Sequence, residues 1–162
     1  MSGLAKPELG TASKEHLRLW LRILKVNRLI EAELRERLRV NFDTTLPRFD
    51  VMSALYRKGS GLKMSALSRM LMVSNGNVTG IVERLMQDGL VLREAVPGDR
   101  RAAQVTLTGK GITEFRRQAA AHEAWVSELL GGLDAADSAL AARYLGTALT
   151  IDKTEENDAK NP

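Results

Sequence analysis

Residues 74–111 constrain the fold more tightly than any other stretch of this chain. They read as a short helix, polar on one side and apolar on the other, followed at once by two strand-like runs around a basic tip. Ser74 suits the N-cap, because its hydroxyl accepts from the free N–H groups of the first turn, which Asn75, Gly76 and Asn77 fill. Val78, Val82 and Leu85 recur at i, i+4 and i+7 and face a core. Asn75, Asn77, Thr79, Gly80, Glu83 and Arg84 are left outside or flanking. Gly76 and Gly80 each cost a helix about 1 kcal/mol against alanine. A glycine there suits close approach of a base edge or phosphate, or, for Gly80, packing against a neighbouring helix. Asp88-Gly89 closes the helix, Leu90-Val91-Leu92 opens a strand, and the tip is Pro97-Gly98-Asp99-Arg100-Arg101.

A bare polar helix followed by an arginine hairpin is the layout of a winged helix-turn-helix. Such a unit grips a duplex twice, with the helix in a major groove and the hairpin on the backbone or minor groove. Asn75, Asn77 and Thr79 are then the residues to read base edges, since asparagine pairs bidentately with adenine and a threonine methyl can touch a thymine methyl. Ser74 starts that helix, and Lys63, Ser65 and Arg84 are placed to hold phosphates. Arg100 and Arg101 sit on the tip, where Asp99 holds the turn or orients an arginine.

The rest of the chain is helical in pattern, so the fold class is mostly α with a small β wing. Residues 14–40 form one long helix, capped by Ser13, with Leu17, Trp20, Leu21, Ile23, Leu24, Ile30, Leu34 and Leu38 as its apolar stripe. Glu31–Arg35 and Glu33–Arg37 stand at i, i+4 along it. Pro47 starts a second helix over 48–58, with Phe49, Met52 and Leu55 or Tyr56 inward, and Gly59-Ser60-Gly61 is a turn. Residues 64–72 make the first helix of the DNA-binding pair, packed through Leu67, Met70 and Leu71. After the wing, Thr108 caps a helix to about Leu130 with Ile112, Phe115, Ala119, His122 and Val126 near one side, and Asp134 caps a last helix. The division expected is a flexible N-terminus (1–12), dimerisation helices (13–46 and 108–152), a winged helix-turn-helix lobe (47–107) and a frayed tail (153–162). The long helices are more apolar than the small lobe can cover, which points to a second copy around a two-fold axis.

The order MSALSRMLMVS, NGNVTGIVERL, DGLVLREAVPGDRRAAQVTLTGKG resembles the MarR family of bacterial transcription regulators. That family's wing carries an Asp-x-Arg turn, here Asp99-Arg100-Arg101, and runs into Leu-Thr-x-x-Gly, here Leu107 to Gly111. The resemblance covers about residues 13–150 and implies a symmetric dimer on an inverted-repeat operator. Two departures are Lys63, where the family often has a capping threonine, and Ser68, where alanine is usual. Both bear on local stability.

Composition excludes several other classes. The net charge is +4, and residues 134–162 hold six acids and three bases, leaving about +7 on the rest. A basic body attracts polyanions. There is no cysteine, which removes disulfides, thiolate catalysis and thiolate metal sites. With only His16 and His122, and His122-Glu123 outside any H-E-x-x-H pattern, no metal or other cofactor is expected. The loop Gly59 to Ser65 fails the phosphate-loop spacing, no Ser-His-Asp set stands out, and an enzyme is not expected. The N-terminus lacks the pattern of a signal peptide, so the cytoplasm is the expected compartment and no membrane partner is expected. A winged-helix module that binds protein and not DNA is the competing reading.

Regulators of this layout carry a ligand pocket between dimer layer and DNA-binding lobe. His16, Trp20, Phe49 and Met52 are candidate lining residues, though Trp20 and Phe49 equally suit plain core and His16 a capping position. At 100° per residue, Arg28, Arg35 and Arg39 fall within about 60° of the direction of Leu24. They border the apolar stripe as an anion site or as a solvated face. With DTTLPRFD and VSNGNVTG, these segments resemble the branch of the family that senses hydroxycinnamoyl-CoA thioesters. That resemblance implies a repressor released when an aromatic acid, or its CoA thioester, enters the pocket.

Overall fold

The computed structural model describes residues 10–148 and, within them, all side chains except those of Arg100 and Arg101. The expected tail at 153–162 and most of the expected N-terminal arm lie outside the described residues. The elements run α1 (Thr11–Phe42), α2 (Leu46–Lys58), β1 (Leu62–Lys63), α3 (Met64–Leu71), α4 (Asn75–Gln87), β2 (Val91–Val96), β3 (Asp99–Leu107), α5 (Gly109–Leu129) and α6 (Ala135–Ala148). The chain divides into two compact units, one through Val126 and one from Ser127.

Helix α1 begins earlier than its pattern suggested. Gly10 occupies its N-cap, and no side chain bonds there, so Ser13 lies inside the helix and does not cap it. The pairs Glu31–Arg35 and Glu33–Arg37 form as spaced, the second at 2.7 Å, and Arg39 adds a pair with Glu36 at 2.7 Å. The helix stops at Asp43, which takes the left-handed conformation at φ 49° while its N–H reaches the Arg39 carbonyl. Thr45 then caps α2, accepting from the Arg48 N–H at 3.4 Å, and Pro47 sits in the first turn, where its missing donor costs nothing.

Phe49, Val51, Met52, Ala54 and Leu55 of α2 are buried. They join Leu67 of α3, Val78, Val82 and Leu85 of α4, Val91 and Val105 of the sheet and Phe115 of α5 in one core. One sequence expectation fails at the margin of that core. Met70 is exposed, while Ser68 of the same helix is buried. Of the pair Leu55 or Tyr56, Leu55 faces inward, and Tyr56 packs its ring on Phe115 at 4.8 Å while its hydroxyl accepts from Arg116 Nε at 3.1 Å.

The sheet has three strands in the order β1-β3-β2, all antiparallel. Strand β1 was not expected, because two residues carry no period; Leu62 and Lys63 are extended only because they pair with Val105 and Gln104. Beyond the wing, Thr108 Oγ1 accepts from the Gly111 N–H at 2.9 Å, the cap its position promised, and donates to the Gly89 carbonyl at 2.7 Å. Gly111 is obligatory, since a Cβ there would stand 1.9 Å from the Leu90 carbonyl oxygen. This first turn of α5 is thereby sealed onto the start of the hairpin.

In the second unit, Asp134 caps α6 by accepting from the Asp137 N–H at 2.8 Å. Helix α6 buries none of its residues, and Leu140, Tyr144 and Leu145 are exposed. No helix among the described residues is long and apolar enough to cross a membrane.

Candidate nucleic-acid interface

Helix α4 presents the face the sequence promised. Ser74 accepts from the Asn77 N–H at 3.3 Å, and Val78, Val82 and Leu85 are all buried. Asn75, Gly76, Asn77, Gly80, Glu83 and Arg84 are exposed. A Cβ added at Gly76 or Gly80 meets nothing within 4 Å, so neither glycine is needed for packing against a neighbouring helix. Two positions of the helix have been stripped to backbone on its open side.

The structure separates the three candidate base readers by how free they are. Ser68 Oγ donates to Asn75 Oδ1 at 2.6 Å, tying the first residue of α4 to the preceding helix. Ser68 therefore orients a candidate reader as well as contributing to local stability. Thr79 Oγ1 donates to the Asn75 carbonyl at 2.9 Å, which spends its hydroxyl on the helix and leaves the methyl group. Among the described residues Asn77 bonds through its backbone alone, which keeps both ends of its amide available.

Lys63 and Ser65 are exposed at the start of α3, and Lys63 occupies the N-cap without a side-chain cap bond. Ser65 shares a hollow with Ser68, Arg69, Ser74 and Asn75. Arg69 is a cation the sequence reading missed; it stands one turn after Ser65, a spacing that marks the same helix face.

The wing tip is shorter than expected. Val96 pairs with Asp99 across the two-residue turn Pro97-Gly98, with Gly98 at φ 84°. Proline followed by a glycine of positive φ suits a type II turn, whose twist opposes that of a hairpin. The ladder accordingly breaks: Ala95 pairs with Ala103, so Arg100, Arg101 and Ala102 fall in an irregularity of β3. The backbone of both arginines is thus in the strand, and their side chains lie outside the described residues.

Arg48, also missed from the sequence, forms an ion pair with Asp88, the residue that ends α4. Lys110 Nζ donates to the Asp88 carbonyl at 2.7 Å, so two cations hold the end of α4. They border a cavity of about 480 Å³ that Phe42, Thr44 and Gln118 also line. Arg48 Nε and Gln118 Oε1 are buried without a hydrogen-bond partner among the described residues. Gln118 is 2% exposed and was overlooked because a polar residue on a helix gives no sign of burial.

The expected effector lining is not assembled within one chain. Phe49 and Met52 are core residues, and Phe49 stacks on His122 at 4.6 Å and on Phe115 at 5.5 Å. Burial pushes the His122 imidazole below its ordinary value and favours the neutral ring. Trp20 and His16 are exposed on α1, and Trp20 lies on the order of 20 Å along the helix from its buried residues Leu34 and Leu38. The three arginines are exposed; Arg35 and Arg39 pair with Glu31 and Glu36, and Arg28 makes no ion pair among the described residues.

Comparison with known proteins gives a consistent picture. The MarR family pattern matches residues 44–103. The crystal structure of a MarR family transcriptional regulator from Silicibacter pomeroyi is 34% identical over 85% of this chain and 94% of that one, with a TM-score of 0.71. A MarR variant from E. coli complexed with operator DNA is 27% identical over 83% and 96% of the two chains, with a TM-score of 0.72. The transcriptional activatory protein BadR from Rhodopseudomonas palustris is 33% identical over 62% of this chain and 59% of its own length. Against the curated relatives YkoM, PecS and MhqR, the match spans 54%, 46% and 58% of their lengths, about half.

Proposed function

The chain belongs to the MarR family of transcriptional regulators, and from that premise we propose that it is a dimeric regulator that binds a specific site on double-stranded DNA. The observation that carries this reading is α4: a capped helix with a buried apolar side and an open side bared to backbone at Gly76 and Gly80. Asn77 and the Thr79 methyl read base edges, Asn75 does so from a position held by Ser68, and Lys63, Ser65, Arg69 and Arg84 fix the backbone. The relative solved in complex with operator DNA supports binding to a specific duplex. A second copy covers the exposed apolar residues of α1, and the two lobes then meet an inverted repeat whose half-sites are centred roughly 10 bp apart, or a multiple of that. Genomic selection followed by footprinting tests this. A protected inverted repeat is the expected result, and binding confined to single strands, or to protein alone, rejects it.

The regulator acts as a repressor that a small aromatic acid, or its CoA thioester, releases. The cavity beside Arg48 and Gln118 supports an effector, being within the size range of small-molecule sites and bordered by the Arg48 and Lys110 side chains. A carboxylate entering it competes with Asp88 for Arg48 and loosens the end of α4. The CoA reading adds Arg28, Arg35 or Arg39 as partners for the phosphates. Titration of hydroxycinnamate, coenzyme A and hydroxycinnamoyl-CoA into a preformed protein–DNA complex separates these. Release by the thioester at the lowest concentration is expected; release by the free acid alone removes the CoA reading, and release by none removes the effector.

A further inference from the structure

A groove of about 560 Å³ runs beside the stripped side of α4, and three arginines wall it: Arg35 from α1, Arg48 from α2 and Arg84 from α4 itself. Gly76 and Gly80 leave its α4 side open, Ile81 contributes apolar surface, and no carboxylate is among the residues that line it. Resting on the DNA-binding reading, we propose that this groove is a second track for the DNA backbone, so that Arg35 carries the long helix α1 into the interface.

Charge and shape select the occupant. Arg35 and Arg84 along one open groove, with Arg48 held by Asp88 at its edge, suit the successive phosphates of a nucleic-acid strand. The apolar surface suits deoxyribose. The groove is continuous with the face that reads bases, because Gly76, Asn77 and Gly80 belong to both. Arg35 is available to such a partner. Its pair with Glu31 is solvent-exposed on both sides, and an ion pair of that kind is weak and readily exchanged. Arg84 makes no ion pair among the described residues, and Arg48 remains anchored to Asp88 at the groove's end.

The test is the salt dependence of binding to the duplex recovered by genomic selection, read by fluorescence anisotropy. Arg35→Ala is expected to weaken binding on every duplex and to lower the log–log salt slope by about one. Arg35→Lys, which keeps the charge, should retain most of that slope. Arg22→Ala removes an equivalent exposed cation from α1, 13 residues from Arg35, and should leave both quantities unchanged. Wild-type protein that binds the duplex while Arg35→Ala shows an unaltered slope overturns the proposal and leaves the DNA-binding reading intact. Failure of the wild type to bind any duplex overturns that reading first. Coenzyme A that displaces DNA from the wild type but not from Arg35→Ala, with the salt slope of Arg35→Ala unaltered, assigns Arg35 to a free phosphate and overturns the proposal.

Discussion

A methyl group added at Gly80 meets nothing within 4 Å in the free protein, and alanine is the better helix former. Gly80→Ala should therefore raise stability, by up to about 1 kcal/mol, read as a higher thermal midpoint. On the proposed interface the same methyl group stands in the way of DNA, so affinity for the selected duplex should fall. Stability and binding moving in opposite directions is the signature expected of a glycine kept for a partner. A gain in stability with unchanged affinity would show that nothing approaches the helix there. Ser68 and Asn75 carry a related lesson. A hydroxyl in a helix core gains from its bond to the Asn75 amide, and that bond holds a candidate reader before any DNA arrives.

Among the elements, the hairpin departs most from its sequence pattern. A Pro-Gly turn and a hairpin twist are mismatched, and β3 absorbs the mismatch as an irregularity at Arg100, Arg101 and Ala102. The double variant Arg100→Ala/Arg101→Ala should weaken binding to all duplexes and flatten the salt slope by up to about two. Affinity equal to wild type at two salt concentrations would leave the wing a purely structural element. The base of the wing is independent of its tip, because Thr108 and Gly111 lock it to α5.

At the scale of the whole molecule, the proposed dimer rests on the exposed apolar residues of α1. Leu17, Trp20, Leu21 and Leu29 are each more than half exposed in the single chain, a surface that a monomer in water does not favour. Leu21→Glu should leave the core of the DNA-binding lobe folded, with helical content unchanged by circular dichroism. It should shift the protein to monomer in sedimentation and abolish protection of the inverted repeat, since two half-sites need two lobes. A variant that still sediments as a dimer would move the interface away from this part of α1.

Much of this protein was legible in its residues alone. The buried face of α4, the caps at Ser74, Thr108 and Asp134 and the ion pairs of α1 follow from spacing, because each is a contact between residues a few positions apart. What spacing cannot carry is contact across long stretches of chain. Strand β1 exists only through its pairing with β3; Arg48 became part of the site only because Asp88 stands beside it; Gln118 is buried only because of what packs around α5. The groove walled by Arg35 belongs to the same class. A helix pattern says which side of α1 Arg35 occupies, but it cannot say that α4 lies opposite, and only tertiary packing brings the two together.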